Sequence, residues 1–417
     1  MKPSISSFFA VGLLVMVLAA LPLSAQTLTV LHTFTNGGDG GEPQSALTMD
    51  AGGTHLYGTA LTGGAGYGTV FRMTKVNGNW TLSTLYNFQG DNGNNDGAGP
   101  FARVVIGANG TLYGTTVAGG GGESDGCADY GYYGCGTVFN LQPPLSVCKS
   151  VSCPWRETVL NQFVNGPGGI YPLGAVAFDH AGNIYGTTEY GGTGQLGSIY
   201  GLSPSGGGWG ASQLLSFTGD NGVWPYDTLV LDSAGNLYGG TRGGGSGYGL
   251  VFELSPNGSG WTENILHQFD GSDGEGAVGG LVFDSAGNLY GTTWTNGSGG
   301  GGTVYELSPS ANGWQFTLLY SFTGCYECGP ADSLAIDAAG NLYGTTYKDG
   351  ANGVGNVFKL TNSNGQWTYT DLYDFNCNAN GSEPNGGPIL DSQGNIYGTT
   401  TACGAVPGYG TVWKLAP

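Results

Sequence analysis

The chain has 417 residues and a one-sided charge, 29 Asp and Glu against 10 Lys and Arg, for a formal net charge of −19. That balance excludes nucleic-acid binding, which needs lysine and arginine to neutralise phosphate, and it disfavours an anionic membrane surface. Its 84 glycines would suit a low-complexity chain, but 39% apolar and 12% aromatic residues call for a packed core.

The N-terminus reads as a secretory signal over residues 1–25. Lys2 supplies a positive start, and the apolar run from Phe8 to Leu21 has the length of a signal core and is short for a membrane span. Leu23-Ser24-Ala25 is a cleavage site, so the mature chain is expected from Gln26, as one domain over 26–417. No later apolar run is long enough to span a membrane, and a monomer is expected.

Beyond this segment one motif, L/I-Y-G-T/G-T/A, recurs seven times, with its tyrosine at Tyr57, Tyr113, Tyr185, Tyr238, Tyr290, Tyr343 and Tyr397. The longest interval holds two insertions, Gly119 to Cys135 and Leu145 to Pro154, each with a cysteine pair. Each repeat reads as four short strands. The first ends in Asp, as in Thr228-Leu229-Val230-Leu231-Asp232. A D-x-x-G-N turn follows, in which Asp accepts backbone N–H bonds and Gly supplies positive φ. The second strand carries Y-G-T-T, the third G-T-V-F-x-L, and the fourth ends in Leu-x-x-Phe, as in Leu266 to Phe269.

Four strands in a repeat of about 53 residues match a propeller blade. The ends of the chain complement each other. Repeat seven stops after its third strand, Gly410 to Leu415, while Thr27 to Phe34 carries the fourth-strand pattern with Leu31 and Phe34. The expected fold is therefore an all-β, seven-bladed β-propeller of four-stranded blades, closed by the N-terminal strand joining the last blade. Closure removes the open sheet edge.

Eight cysteines fit an oxidising compartment. They fall as Cys127 with Cys135, Cys148 with Cys153, Cys325 with Cys328, and Cys377 with Cys403. Structural disulfides are expected rather than a redox or zinc site, because Cys325-x-x-Cys328 is half of a four-thiolate set and no histidine lies near it.

The repeats resemble the GloVer tandem-repeat family, the choice-of-anchor bacterial surface proteins. The resemblance rests on D-x-x-G-N-L-Y-G-T-T followed by G-x-V-F-x-L and covers nearly all of the mature chain. The copy at Gly107 to Gly110 departs from it, lacking the turn Asp. The resemblance implies an exported bacterial protein and carries no defined activity.

Columns identical in every copy are scaffold. Columns that vary can carry specificity, and the residue after the second Thr of Y-G-T-T is one: Leu61, Val117, Glu189, Arg242, Trp294, Tyr347 and Thr401. It begins the loop between strands two and three. Loops between blades share that face and add Trp224, Asp227, Tyr326, Glu327 and Asp332. Aromatic, carboxylate and guanidinium groups around one mouth suit sugar or peptide recognition; free variation of exposed loops is the alternative.

Asp91-Asn92-Gly93, Asp220-Asn221-Gly222 and Asp273-Gly274 read as turns rather than calcium loops. His32, His55, His180 and His267 do not converge, and no Gly-Lys-Ser/Thr follows Gly119 to Gly122, so neither a His-based site nor a phosphate loop is expected. No metal or cofactor is expected. The expected function is an exported binding or scaffold propeller recognising a glycan or protein on its loop face. The alternatives are a polysaccharide hydrolase or lyase on the same scaffold and a purely structural envelope protein.

Overall fold

The turn after the first strand of each repeat shows how the local sequence dictates the chain path. In blade four, Asp232 Oδ1 accepts the backbone N–H groups of Ala234 and Asn236. Its Oδ2 accepts the Asn236 amide and the Tyr238 hydroxyl. D-x-x-G-N-L-Y is thus one hydrogen-bonded unit that reverses the chain and aims strand two. Asp179, Asp284, Asp337 and Asp391 repeat it. In blade two a single 3-10 turn at Ala108–Gly110 takes its place.

The computed structural model describes residues 26–417 except 91–94, 122–126, 130–131, 145–153, 331 and 406–407. The expected secretory segment, the expected Cys148–Cys153 pair and the expected Asp91-Asn92-Gly93 turn lie outside the described residues. Seven antiparallel sheets of four strands form the ring expected of a seven-bladed propeller. Blade four runs Val230–Leu231, Leu237–Thr241, Leu250–Asn257 and Gly260–Gln268 from axis to rim. A two-stranded hairpin, Ala128–Asp129 with Tyr132–Tyr133, sits in the first insertion. Blade seven is completed by Thr27–Thr33, which pairs antiparallel with Thr411–Ala416.

The inner strands are only two residues long. The residues before them, such as Asp227, leave the sheet to form a latch between blades. The first Thr of Y-G-T-T donates its hydroxyl to a carbonyl of the next blade: Thr59 to Ala102, Thr115 to Gly174, Thr187 to Asp227, Thr292 to Asp332 and Thr345 to Gly386. Thr399 to Ser45, at 2.9 Å, carries the latch from blade seven to blade one. Blade four has Gly240 here, because an added Cβ would lie 2.5 Å from the Ala277 carbonyl oxygen.

Leu-x-x-Phe spells a β-bulge. In every blade the pairing of strands three and four skips one residue at its Leu, as at Leu266 between Val251 and Phe252 on the facing strand, and at Leu31 in the closing strand. Bulges bend and twist a strand, and here the bend delivers the Phe to the next blade. Phe34 meets Phe71, Phe88 meets Phe139, and the series runs on through Phe163–Tyr200, Phe217–Phe252, Phe269–Tyr305, Phe322–Phe358 and Phe375–Trp413, with ring centroids 5.0–5.6 Å apart. Nearer the rim, Trp80, Trp261, Trp314 and Trp367 pack edge-on against the motif tyrosine of the preceding blade. The core therefore lies between blades.

Disulfides join Cys127 to Cys135, Cys325 to Cys328, and Cys377 to Cys403. Among the described residues no helix is long and apolar enough to cross a membrane, and no group of three His, Cys, Asp or Glu side chains could hold a metal ion. His32, His55 and His267 each pair with a separate carboxylate, Asp39, Asp50 and Asp273. Asn221 and Asp273 close local turns.

Candidate functional site

The loop face is built around one backbone bridge, complete in six blades, with only its carbonyl half seen at Gly329 in blade six. The residue before the loop proline donates its N–H to the preceding blade, as Glu42 to Tyr409 O and Trp224 to Leu196 O. Its own carbonyl accepts the N–H of the variable column: Leu61 to Glu42, Glu189 to Tyr171, Arg242 to Trp224, Tyr347 to Gly329 and Thr401 to Glu383. Facing both ways forces φ positive, 55° at Glu42, 59° at Tyr171, 53° at Trp224 and 56° at Glu383. The proline packs on the glycine that opens the third strand of the preceding blade. A Cβ on Gly197 would lie 2.5 Å from Pro225 Cδ, which explains the glycine of G-T-V-F.

The bridge sets two concentric columns around the mouth, the variable column and the one before proline. In blades four and five neighbouring members of the variable column meet, and Glu327 of the loop entering blade six joins them. The Arg242 guanidinium lies over the Trp294 indole at 4.8 Å from its centroid, and its Nη2 is 3.7 Å from Glu327 Oε1. Tyr226, Val278 and Asn385 complete a small pocket with Arg242 and Trp294. The buried indole N–H of Trp294 has no partner among the described residues. Trp224 is exposed, with Tyr190 at 6.4 Å between ring centroids. Tyr326 stands in solvent, 65% exposed.

Toward blades six, seven and one the mouth opens into a cleft of about 400 Å³ lined by Glu42, Gln44, Tyr347, Glu383, Thr401 and Tyr409. The Tyr347 hydroxyl donates to Glu383 Oε2 at 3.0 Å, and burial together with the Glu383 carboxylate pushes its pKa up to about 12. Lys348 stands 3.7 Å from Glu383 Oε1 and over the Tyr347 ring.

Glu189 departs from the expected arc. It is 4% exposed and faces inward, close enough for its charge to help raise the pKa of the buried Tyr226. Asp227 and Asp332 lie deeper, sharing an axial cavity of about 50 Å³ with Arg103, Tyr226 and Asn385. Burial and then the charge of Asp332 push Asp227 up to about 8. Asp332 is held by the backbone N–H groups of Ser333 and Gly387.

The profile of the Gloeobacter/Verrucomicrobia repeat matches this sequence twice, over residues 126–335 and 242–417. The chain belongs to that family. No curated protein matches it in sequence. Among solved structures, a polysaccharide lyase of family 25, an ulvan lyase bound to a glucuronate–sulfated rhamnose unit, is similar at TM-score 0.53 and 12% identity, covering 93% of this chain and 95% of that one. The extracellular domain of a protein assigned as a hybrid two-component system from B. thetaiotaomicron is similar at TM-score 0.54 and 12% identity, covering 93% of this chain and 39% of that one. A protein assigned as a 6-phosphogluconolactonase from Bacteroides uniformis follows at TM-score 0.50 and 14% identity, covering 78% and 83%. At these identities the likeness is one of fold.

Of the column before proline only Trp224 was picked out from the sequence; Glu42 and Glu383 escaped it, as did Tyr226 and Arg103. The signal was present: a varied residue precedes proline in six repeats, at Pro43, Pro100, Pro172, Pro225, Pro330 and Pro384.

Proposed function

We propose that this family member is an exported glycan-binding propeller whose site is the loop face. The observation that carries the reading is the convergence of the variable columns. Arg242, Trp294 and Glu327 cluster on one side of the mouth, beside a tyrosine- and carboxylate-lined cleft of about 400 Å³. That volume is within the ~300–1,000 Å³ usual for ligand pockets. Three disulfides fit an oxidising compartment outside the cytoplasm. The presence of a polysaccharide lyase, the ulvan lyase, among proteins of similar fold supports the reading.

One observation favours the catalytic alternative: Asp227 and Asp332 share the axial cavity with Arg103. Its volume, about 50 Å³, is well below that of an ordinary ligand pocket, so a sugar ring cannot reach between the two carboxyls. Binding without turnover is therefore the favoured reading. The test is a glycan array run in parallel with measurement of reducing-sugar and unsaturated-product release. Binding that Trp294→Ala and Arg242→Ala weaken, with no release, supports it. Release abolished by Asp227→Asn supports the enzyme, and absence of any glycan binding rejects both.

A further inference from the structure

Ion pairing at the mouth is strongly unbalanced. Across the two columns and the axial Asp227 and Asp332, the charged side chains are Glu42, Glu189, Glu383, Asp227, Asp332 and one cation, Arg242. Arg242 already faces Glu327 at 3.7 Å, and the adjacent Lys348 faces Glu383 at the same distance. Arg103 lies in the axial cavity, where its charge acts on Asp227. Among the described residues, no cation at this mouth is left without a facing carboxylate for an anionic ligand. The Glu42 carboxylate, by contrast, lines the large cleft and has no hydrogen-bond or ion partner among the described residues.

Glu42 and Glu383 belong to adjacent blades, one and seven, and occupy the same column. Three other copies of that column are glycine, Gly99, Gly276 and Gly329, so the backbone does not require a carboxylate there. The rest of the cleft is not acidic. Tyr347 and Tyr409 supply aromatic wall, and Gln44 and Thr401 supply neutral polar groups. Aromatic faces and amide or hydroxyl groups suit a sugar ring, and a free carboxylate suits a cation on it.

Resting on the glycan-binding reading, we propose that the ligand is an amino-sugar chain with free, protonated 2-amino groups, and that the Glu42–Glu383 cleft seats one amine-bearing ring. Glu42 accepts the ammonium hydrogens, and Glu383, already engaged by Tyr347 and Lys348, receives a hydroxyl. Polyuronates and sulfated chains are rejected because they would meet unpaired carboxylate.

Isothermal titration at slightly acidic pH with four hexamers tests this: glucosamine, N-acetylglucosamine, galacturonate and lysine. The glucosamine hexamer should bind about tenfold tighter than its acetylated form, the difference expected of a charged over a neutral hydrogen bond. Its affinity should fall with salt, and galacturonate should not bind. Glu42→Gln should remove most of the glucosamine advantage, bringing the affinities of the two amino-sugar hexamers together, with Tm confirming the fold. Equal affinity for both amino-sugar hexamers, preference for galacturonate, tighter binding of hexalysine, or indifference to Glu42→Gln would overturn the proposal. If the acetylated or acidic hexamer binds at least as tightly as the glucosamine hexamer and Trp294→Ala abolishes that binding, the glycan-binding reading stands without this inference. If no sugar binds, both fall.

Discussion

Asp232 and Asp227 are both partly enclosed carboxyls, five residues apart, and their environments move them in opposite directions. Burial pushes Asp232 up, but the bonds from Asn236, Tyr238 and Ala234 outweigh it, so its pKa lies below the ordinary value. It therefore stabilises the fold above the unfolded value near 4, and that contribution is lost as pH falls through the lowered folded value. Asp232→Asn should cost roughly 1 kcal/mol at neutral pH for such a partly exposed turn, and urea midpoints should show the gap closing as pH falls below the unfolded value. Asp227 has the reverse sign. Its folded value is pushed up to about 8, so its ionisation opposes folding, with a penalty that grows from about pH 4 and is complete above about pH 8. Asp227→Asn should raise the urea midpoint above pH 8 and change little near pH 4. A variant less stable than the parent at alkaline pH would contradict the buried-pair account.

At the scale of the element, the fourth strand joins one blade to the next. Trp314 packs on Tyr238 of the blade before it, and Trp314→Ala should cost about 2–4 kcal/mol, read from denaturant unfolding. The closing strand has Gln26 in place of the tryptophan and makes the other contacts: the ladder to Thr411–Ala416, the bulge at Leu31 and the Phe34–Phe71 packing. Deleting Thr27 to Phe34 should lower the thermal midpoint by about 10 °C or more, and an unchanged midpoint would mean that the ring is not closed this way. These strands, the closure and the Cys377–Cys403 pairing were legible because each repeats a pattern or follows from strand order. The threonine latch and the bulge were not. Thr187 reads as an ordinary strand residue until Asp227 of the next blade is placed against it, and Leu266 reads as core until the register is known.

The whole molecule turns a repeated scaffold into a one-of-a-kind surface by varying two columns at a single face. The position of that face was legible in the sequence, since Arg242, Trp294 and Tyr347 do stand around one mouth. Its composition was legible only in part: Glu189 turns inward, and the paired acids of blades one and seven meet only after the ring closes. The opposite face carries the Asp turns, built alike around Asp179, Asp232, Asp284, Asp337 and Asp391. The most direct test is hydrogen–deuterium exchange of the full mature protein with and without its best array glycan. Protection should be confined to the loop-face segments around Glu42, Arg242, Trp294, Tyr347 and Glu383. Protection at the Asp232–Asn236 and Asp284–Asn288 turns, with the loop face unchanged, would contradict the account.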